Sequence, residues 1–356
     1  MFNYLRMKKV LFITGSVHQA SQMHQIAQEL PELDCWFSQV FTDSRIINFI
    51  IKYTTLANGT VLAGQFRANA EKYIKKHNLQ MDYGARINKY DLVVYCSDLL
   101  IPPRMRLEKT IWVQEGMVDR MTLVSKLVKA LKLPPALCAN TSLNGSTDIC
   151  DLYCVASEGY KQHFEKMGTN AGKLIVTGIP NYDNVKQFLK NDFPFHDYVM
   201  VATTDMRETF RFENRPAFIK QAVKIAAGRP LLFKLHPNEK FDRAEKEIRK
   251  YAPKESMIFK SGNTNHMIAN CTELITQYST VVFTGIALGK KVHSWFNVDE
   301  LIKLTPIQNN GISAQNIAAL CRHYIANDET AGKFDPVAAL RQQQTEPELL
   351  EELLID

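Results

Sequence analysis

The residues best placed for chemistry stand where short apolar runs stop. In the second half of the chain, Tyr198–Ala202 runs into Thr203-Thr204-Asp205-Met206-Arg207-Glu208. That stretch offers hydroxyls and a guanidinium whose planar fork can bond two oxygens of a diphosphate. Phe233-Lys234-Leu235 is followed by His236-Pro237-Asn238. Pro237 removes a backbone donor and stiffens the turn, so His236 is held in place and can donate to phosphate or to a departing nucleotide, or serve only as a structural hydrogen bonder. Thr276-Gln277-Tyr278-Ser279-Thr280 leads directly into an apolar helix pattern from Val281. Ser279 or Thr280 can cap that helix or hold a phosphate. Several such loops in one region point to a nucleotide site.

The first half has fewer candidates. Gly15-Ser16-Val17-His18-Gln19 follows an apolar run and opens a helix. Gly15 permits a tight turn there, and a helix N-terminus attracts anions. Asp98 and Glu115 each follow an apolar run. Either can act as a general base toward a hydroxyl, or can be a capping or solvent-exposed acid.

These loops need strands to place them. Apolar runs predict strands at Lys9–Thr14, Leu92–Cys96, Thr110–Val113, Leu152–Ala156 and Leu174–Thr177. A second series covers Tyr198–Ala202, Leu231–Leu235, Met257–Phe259, Glu273–Thr276 and Lys291–Trp295. Several are apolar on both faces, as parallel strands covered by helices are. Helical spacing of Met23, Ile26, Ala27 and Leu30, of Phe218, Ala222 and Ile225, and of Ile317, Leu320, Cys321 and Tyr324 separates them. The fold class expected is α/β, with two Rossmann-like doubly wound parallel sheets facing across a cleft. The series breaks after Gly178-Ile179-Pro180. Expected domains are residues 1–190 on the acceptor side, 191–330 on the nucleotide-donor side, and a tail from 331 to 356 that ends in an acidic helix over Pro347–Leu354.

Length and composition agree with two domains. The chain has 356 residues, 46% of them hydrophobic, enough to fill two cores. No apolar run is long enough to cross a bilayer. The apolar N-terminal stretch runs into Gly15-Ser16 where a signal peptide would have a cleavage site, so it reads as a buried strand. The net charge of +6 suits phosphate-bearing ligands or an anionic membrane surface, and no nucleic-acid module is present. The seven cysteines include no C-x-x-C and read as free thiols in a reducing cytosol; only Cys150 and Cys154 are close in sequence, with His163 the nearest further ligand. Lys126, Lys129 and Lys132 recur at helical spacing against Val124, Leu127, Val128 and Leu131. This helix either lies on an anionic membrane or packs on the first domain.

Taken in order, several segments resemble the GT-B superfamily branch that holds non-hydrolysing UDP-N-acetylglucosamine 2-epimerases, CDP-glycerol glycerophosphotransferases and bacterial capsule or sialic-acid transferases. The stretch Ile175 to Asp183 is similar to the epimerase interdomain segment. Thr203 to Phe210, TTDMRETF, resembles the epimerase T-G-H-R-R-E-S-F stretch. Lys234 to Pro237 looks like the H-P motif of glycerophosphotransferases and sialyltransferases. Tyr278-Ser279-Thr280, with Ala287-Leu288-Gly289-Lys290, resembles their Y-S-S motif and the segment after it. Gln114-Glu115-Gly116 resembles the epimerase E-A-G and the acidic-acidic-Gly motif of sialyltransferases.

The chain also departs from these patterns. Asp205 stands where the epimerases have His. Gln277-Tyr278-Ser279-Thr280 and Phe283-Thr284 replace their D-S-G-G and Q-E-E, and Val17 or His18 replaces an Arg. Gln277 and Thr284 also stand where glycerophosphotransferases carry Asp. The resemblance implies a metal-independent glycosyltransferase moving a sugar from a nucleotide-activated donor to a saccharide or lipid-linked acceptor of the cell envelope. It implies Glu115, then Asp98, as base, with Arg207, His236, Ser279 and Thr280 at the leaving phosphate. Gly15, Thr204, Asp205, Glu208, Pro237 and Tyr278 complete the expected site. No cofactor beyond the donor substrate is implied. Glycerophosphate transfer, epimerisation and non-catalytic binding are the competing readings. The expected location is cytoplasmic, including the inner face of a membrane.

Overall fold

The computed structural model describes residues 6–54, 61–138, 140–208, 211–326, 335 and 338–340. Thr209, Phe210 and the closing helix expected over 347–354 lie outside the described residues. The chain divides into two compact units, unit 1 from Met1–Asp183 with Asn309–Asp356, and unit 2 from Asn184–Gln308.

Unit 1 carries β1 (Lys9–Thr14), α1 (Val17–Gln28), β2 (Asp34–Gln39), α2 (Arg45–Tyr53), α3 (Gly64–Lys76), β3 (Leu92–Tyr95), β4 (Lys109–Val113), α4 (Leu123–Ala130), β5 (Leu152–Val155), α5 (Glu158–Lys166) and β6 (Leu174–Val176). Its sheet has the order β2-β1-β3-β4-β5-β6, and every pair is parallel. The strands are short and apolar because helices cover them. On one face Val10, Phe12, Leu92, Val94, Ile111 and Val113 meet Met23 and Ile26 of α1. On the other face Trp112 packs edge-on to Phe164 of α5, with ring centroids 5.4 Å apart.

Unit 2 carries β7 (Tyr198–Ala202), α6 (Arg215–Ala226), β8 (Leu231–Lys234), α7 (Phe241–Tyr251), β9 (Met257–Phe259), α8 (Thr264–Asn270), β10 (Cys271–Thr276), α9 (Val281–Ala287), β11 (Lys291–His293) and α10 (Val298–Leu304). The sheet order is β11-β10-β7-β8-β9, again all parallel. Val199, Val201, Leu231 and Phe233 pack against Phe218, Ile219 and Ala222 of α6 and Ile248 of α7.

Two features differ from the sequence reading. Strand β2 falls where no strand is expected. Asp34, Ser38 and Gln39 interrupt its apolar run, yet Ser38 and Gln39 are fully buried at the sheet edge. The last long helix, α11 (Ser313–Ala326), lies in unit 1, although the expected domain from 191 to 330 includes it. Its Ala314, Ile317, Cys321 and Tyr324 share the core of β1 and α1. Asp183 accepts the backbone N–H of Ser313 at 2.7 Å, which ties the returning chain to the end of the first segment. No helix among the described residues is long and apolar enough to cross a membrane.

Candidate functional site

A doubly wound sheet has one place where the strand order reverses, and ligands bind in the crevice there, outside the carboxyl ends of the strands. In unit 2 that place lies between β7 and β10. The loops after β10, β7 and β8 therefore stand side by side on one sheet edge. They carry Gln277 to Thr280, Thr203 to Glu208, and His236 to Glu239.

Thr204 donates its hydroxyl to Gln277 Oε1 at 3.0 Å and bridges the crevice. The Nε2 of Gln277 is buried with no acceptor among the described residues. Beside it, among the described residues, Ser279 Oγ accepts only the N–H of Val281 at 3.5 Å, and Thr280 makes no side-chain cap bond. Both hydroxyls are thus nearly free of the capping role that their position before α9 suggests. Tyr278 is wedged edge-on between Trp295 and Phe296, at centroid distances of 5.3 and 4.8 Å.

The His236 loop is held from inside. Glu239, whose carboxylate is fully buried, accepts the N–H of His236 at 3.0 Å and also the hydroxyl of Thr203. Arg215, 1% exposed at the start of α6, pairs with Glu239 and donates to the carbonyl of Thr204 at 3.1 Å. Its Nε lies 2.9 Å from Glu213. Such a buried charge set persists only because each charge has a partner. The imidazole of His236 is half-exposed. Its Nδ1 accepts the N–H of Asn238 at 3.3 Å, which puts the proton of the neutral ring on Nε2. Nε2 has no partner among the described residues. Asp205 Oδ2 lies 3.6 Å from Nδ1 and accepts the amide of Asn238 at 2.8 Å. When the ring is protonated, Asp205 is the nearby countercharge. Pro237 follows on the exposed side of the loop.

Two of the expected donor-binding residues are engaged elsewhere. Arg207 makes a bidentate pair with Glu247 of α7, at 2.8 and 2.9 Å, and its Nε lies 3.2 Å from Glu213. The Glu247 contact raises the Arg207 pKa further. Burial pushes the Glu247 carboxyl up, but the bonds from Arg207 outweigh it and hold that carboxyl below its ordinary value. Glu208 is paired with Arg243 of the same helix. Both residues therefore clamp the β7 loop onto α7, although Glu208 Oε2 is buried without a hydrogen-bond partner among the described residues.

In unit 1 the order reverses between β1 and β3. Gly15 closes β1 in a place without room for a side chain. A Cβ there would lie 2.5 Å from that of Val61 and 3.1 Å from a Val40 methyl. Ser16 caps α1 by accepting the N–H of Gln19 at 3.2 Å. Glu115, after β4, accepts from the Ser16 hydroxyl at 3.1 Å and from Gln19 Nε2 at 2.7 Å. Gln19 Oε1 accepts the N–H of Gly15 at 2.6 Å, so one side chain ties the β1 turn to the acid. Each Glu115 oxygen takes one of these bonds, and the residue remains partly exposed.

Asp98 is different. It is 1% exposed and accepts from the N–H groups of Gly145 (2.8 Å) and Thr147 (3.3 Å), the hydroxyl of Thr147 (2.6 Å) and that of Tyr153 (3.3 Å). Burial raises its pKa against these bonds. Its lone pairs are taken up in holding the 144–147 loop, which corrects the expectation that it can serve as a base. Cys150 and Cys154 are buried free thiols, and no group of three or more His, Cys, Asp or Glu among the described residues is placed to hold a metal.

No protein family and no curated protein matches the sequence. Solved structures do. One from Listeria monocytogenes, described as a putative UDP-N-acetylglucosamine 2-epimerase, is 14% identical with a TM-score of 0.53, over 92% of this chain and 100% of that one. The Neisseria meningitidis UDP-GlcNAc 2-epimerase bound to UDP-GlcNAc is 12% identical, with a TM-score of 0.54 over 88% and 99%. The Methanocaldococcus jannaschii enzyme in complex with UDP-GlcNAc and UDP is 15% identical, with a TM-score of 0.51 over 89% and 100%. The chain has the GT-B fold. At these identities the likeness concerns the fold.

Within the GT-B frame, the sequence reading and the geometry overlap on Thr204, Asp205, His236, Tyr278, Ser279 and Thr280, which stand on adjacent strand ends of one sheet. The reading missed Arg215, Glu239 and Asn238, which fix His236, and Gln277, which it treated only as a departure from related motifs. A signal for Glu239 was present: it is an acid three residues after His236, within one turn and able to reach back to that residue's N–H.

Proposed function

We propose that this protein binds a nucleotide-activated sugar at the carboxyl edge of unit 2 and transfers the sugar to a hydroxyl acceptor. One observation carries the reading. On the carboxyl edge of the unit 2 sheet, the loop after β8 is pinned by a buried carboxylate and presents a His236 Nε2 with no partner among the described residues, and the loop after β10, on the far side of β7, carries the weakly engaged hydroxyls of Ser279 and Thr280. All can donate to the oxygens of a phosphate. Their rigidity matters because preorganised donors stabilise charge that develops on a leaving group.

In this reading His236 Nε2–H faces the phosphate oxygen on which charge grows as the bond from the sugar's reactive carbon to that oxygen breaks. Ser279 and Thr280 hold the same phosphate in the ground state. Asp205 stabilises the imidazolium if the ring gains a proton. Gln277 Nε2, a buried donor with no acceptor among the described residues, contributes a further bond to the donor substrate. In unit 1 taken by itself, the Glu115 carboxylate, oriented by Ser16 and Gln19, has the chemistry of a base toward a hydroxyl. No metal is invoked in these steps.

The test is a calorimetric titration with UDP-, CDP-, CMP- and GDP-linked sugars, repeated with Ser279→Ala and Thr280→Val. The reading expects one donor class to bind and both variants to weaken it. Equal affinity in all three proteins would move the protein to a non-catalytic or differently sited role.

Epimerisation is the second reading, favoured by the 2-epimerases named above, which share this fold. Against it, Gln277, Ser279, Thr280 and Thr284 occupy positions where the resemblance would have acids and glycines. Incubating the protein with UDP-N-acetylglucosamine and no acceptor separates the two. Conversion to the 2-epimer, seen by NMR, supports the isomerase.

A further inference from the structure

Helix α4 is turned the opposite way from a helix that packs its apolar stripe on a domain. Its inward residues are Ser125, fully buried, and Val128. The Ser125 hydroxyl bonds to that of Ser142 at 2.6 Å, while Val128 joins Cys138 and Leu143 in a small cluster. The large apolar residues face out. Leu123 is 84% exposed, Leu127 58% and Leu131 59%, with Val124 beside them. The turn that follows continues the surface with Leu133 and Leu137. This is a contiguous run of outward aliphatic side chains of a kind that monomeric proteins rarely leave in water.

The same element carries Lys126, Lys129 and Lys132 and no acidic residue between Leu123 and Leu137. A recess of about 260 Å³ opens beside it, lined by Val128, Lys129, Lys132, Leu143 and Thr147. A second helix of unit 1 is built alike. In α2, Ile46, Phe49 and Tyr53 are exposed at a spacing of three and four, with Arg45 and Lys52 among them. Exposed aliphatics interleaved with cations suit a surface that is apolar within and negative at its face.

We infer that unit 1 docks on an anionic lipid bilayer through α4 and the turn after it. The leucines enter the acyl boundary and Lys126 and Lys132 remain at the level of the phosphates, while the Lys129 amine donates to the Met167 carbonyl. The inference is independent of the donor reading, since it uses none of the residues of the unit 2 edge.

Cosedimentation with vesicles tests it, using phosphatidylcholine alone and phosphatidylcholine mixed with phosphatidylglycerol. The protein should partition onto the mixed vesicles, bind weakly to phosphatidylcholine alone, and be released by high salt. Lys126→Gln and Lys132→Asn should each lower the partition coefficient about fivefold. The pair Leu127→Ser and Leu131→Ser should lower it about tenfold or more, with the melting temperature unchanged because both positions are exposed. In Leu127→Trp, the added tryptophan emission should shift to the blue when mixed vesicles are supplied. Absence of vesicle binding, equal binding to neutral and anionic vesicles, or an unshifted Leu127→Trp spectrum would overturn the inference. So would sedimentation velocity showing a dimer that the leucine variants dissociate, since a second copy of the chain would then cover this face.

Discussion

Glu239 holds His236 by its backbone: the carboxylate accepts the histidine N–H at 3.0 Å while its other oxygen binds the buried Arg215. The imidazole itself is left out of this arrangement. Its position is therefore set by a charge pair in the interior of unit 2, and its ring is free to meet a ligand.

Removing Arg215 should expose how much the unit depends on that pair. Arg215→Met leaves Glu213 and Glu239 buried without their shared cation. We expect a loss of about 3–5 kcal/mol in urea unfolding, as for other broken buried pairs. A loss near about 1 kcal/mol, typical of surface pairs, would mean that water reaches these acids.

His236→Ala should act on turnover. Charge on the leaving phosphate is greatest in the transition state, so kcat should fall by about a hundredfold or more. The donor Kd should change by less than about threefold, because the ground state gains little from this hydrogen bond. A large change in Kd with unchanged kcat would assign His236 to uniform substrate binding.

Arg207→Ala separates sequence from structure. Read from the chain alone, this arginine is a phosphate ligand and its loss should weaken the donor. Its bidentate pairing with Glu247 instead predicts a lower melting temperature and an unchanged donor affinity, measured by thermal scanning and calorimetry on the same sample.

Glu115→Gln keeps the shape of the side chain and removes the carboxylate proposed as the base. Transfer to acceptor should be lost while donor affinity stays the same. Ser16→Ala, which removes one of the two bonds that orient the carboxylate, should lower kcat and leave the protein folded. An active Glu115→Gln protein would send the search for the base elsewhere.

Acid stability should carry the mark of Glu273. Bonding by Arg229 leads the effects that hold this carboxyl down, with His293 and Lys291 adding to it against burial, so its pKa falls from 4.5 to about 2. The unfolded chain then binds the proton more readily than the folded one. The contribution is full above about pH 4.5 and is lost as pH falls toward about 2. Unfolding midpoints measured across that window should drop with pH in the wild type, and less steeply in Glu273→Gln.

Most strands were legible because they are buried on both faces. Runs such as Leu92-Val93-Val94-Tyr95 leave little else for a parallel strand to be. Strand β2 was hidden by Ser38 and Gln39, whose burial depends on neighbours far along the chain. Ser38, for instance, accepts the N–H of Gly84 at 3.0 Å. The helical period of α11 was visible, but its destination was not, since chain order places it after unit 2 and only packing sends it to unit 1. The site shows the same division. Strand ends and their hydroxyls follow from local pattern. Whether an arginine is free or paired does not: Arg207 and Arg215 are both near the end of β7, and their partners Glu247 and Glu239 belong to later elements. The outward face of α4 was equally hidden, because helical spacing fixes which residues share a face and leaves open which way that face looks.

The return of α11 to unit 1 makes unit 2 an inset. Residues 184–308 leave the chain after Asp183 and give it back at Asn309, where Asn309 bonds the carbonyl of Thr177 at 3.2 Å and Ser313 bonds Asp183. At the other side of the join, the N–H of Val185 donates to Gln308 at 3.1 Å, so the two ends of the inset are already fastened to each other. Both sheets are complete on their own sides of these junctions. Both ends of the segment can therefore be cut without severing a strand, and the bond at its neck holds together chain ends that so long a loop would otherwise have to bring together at an entropic cost.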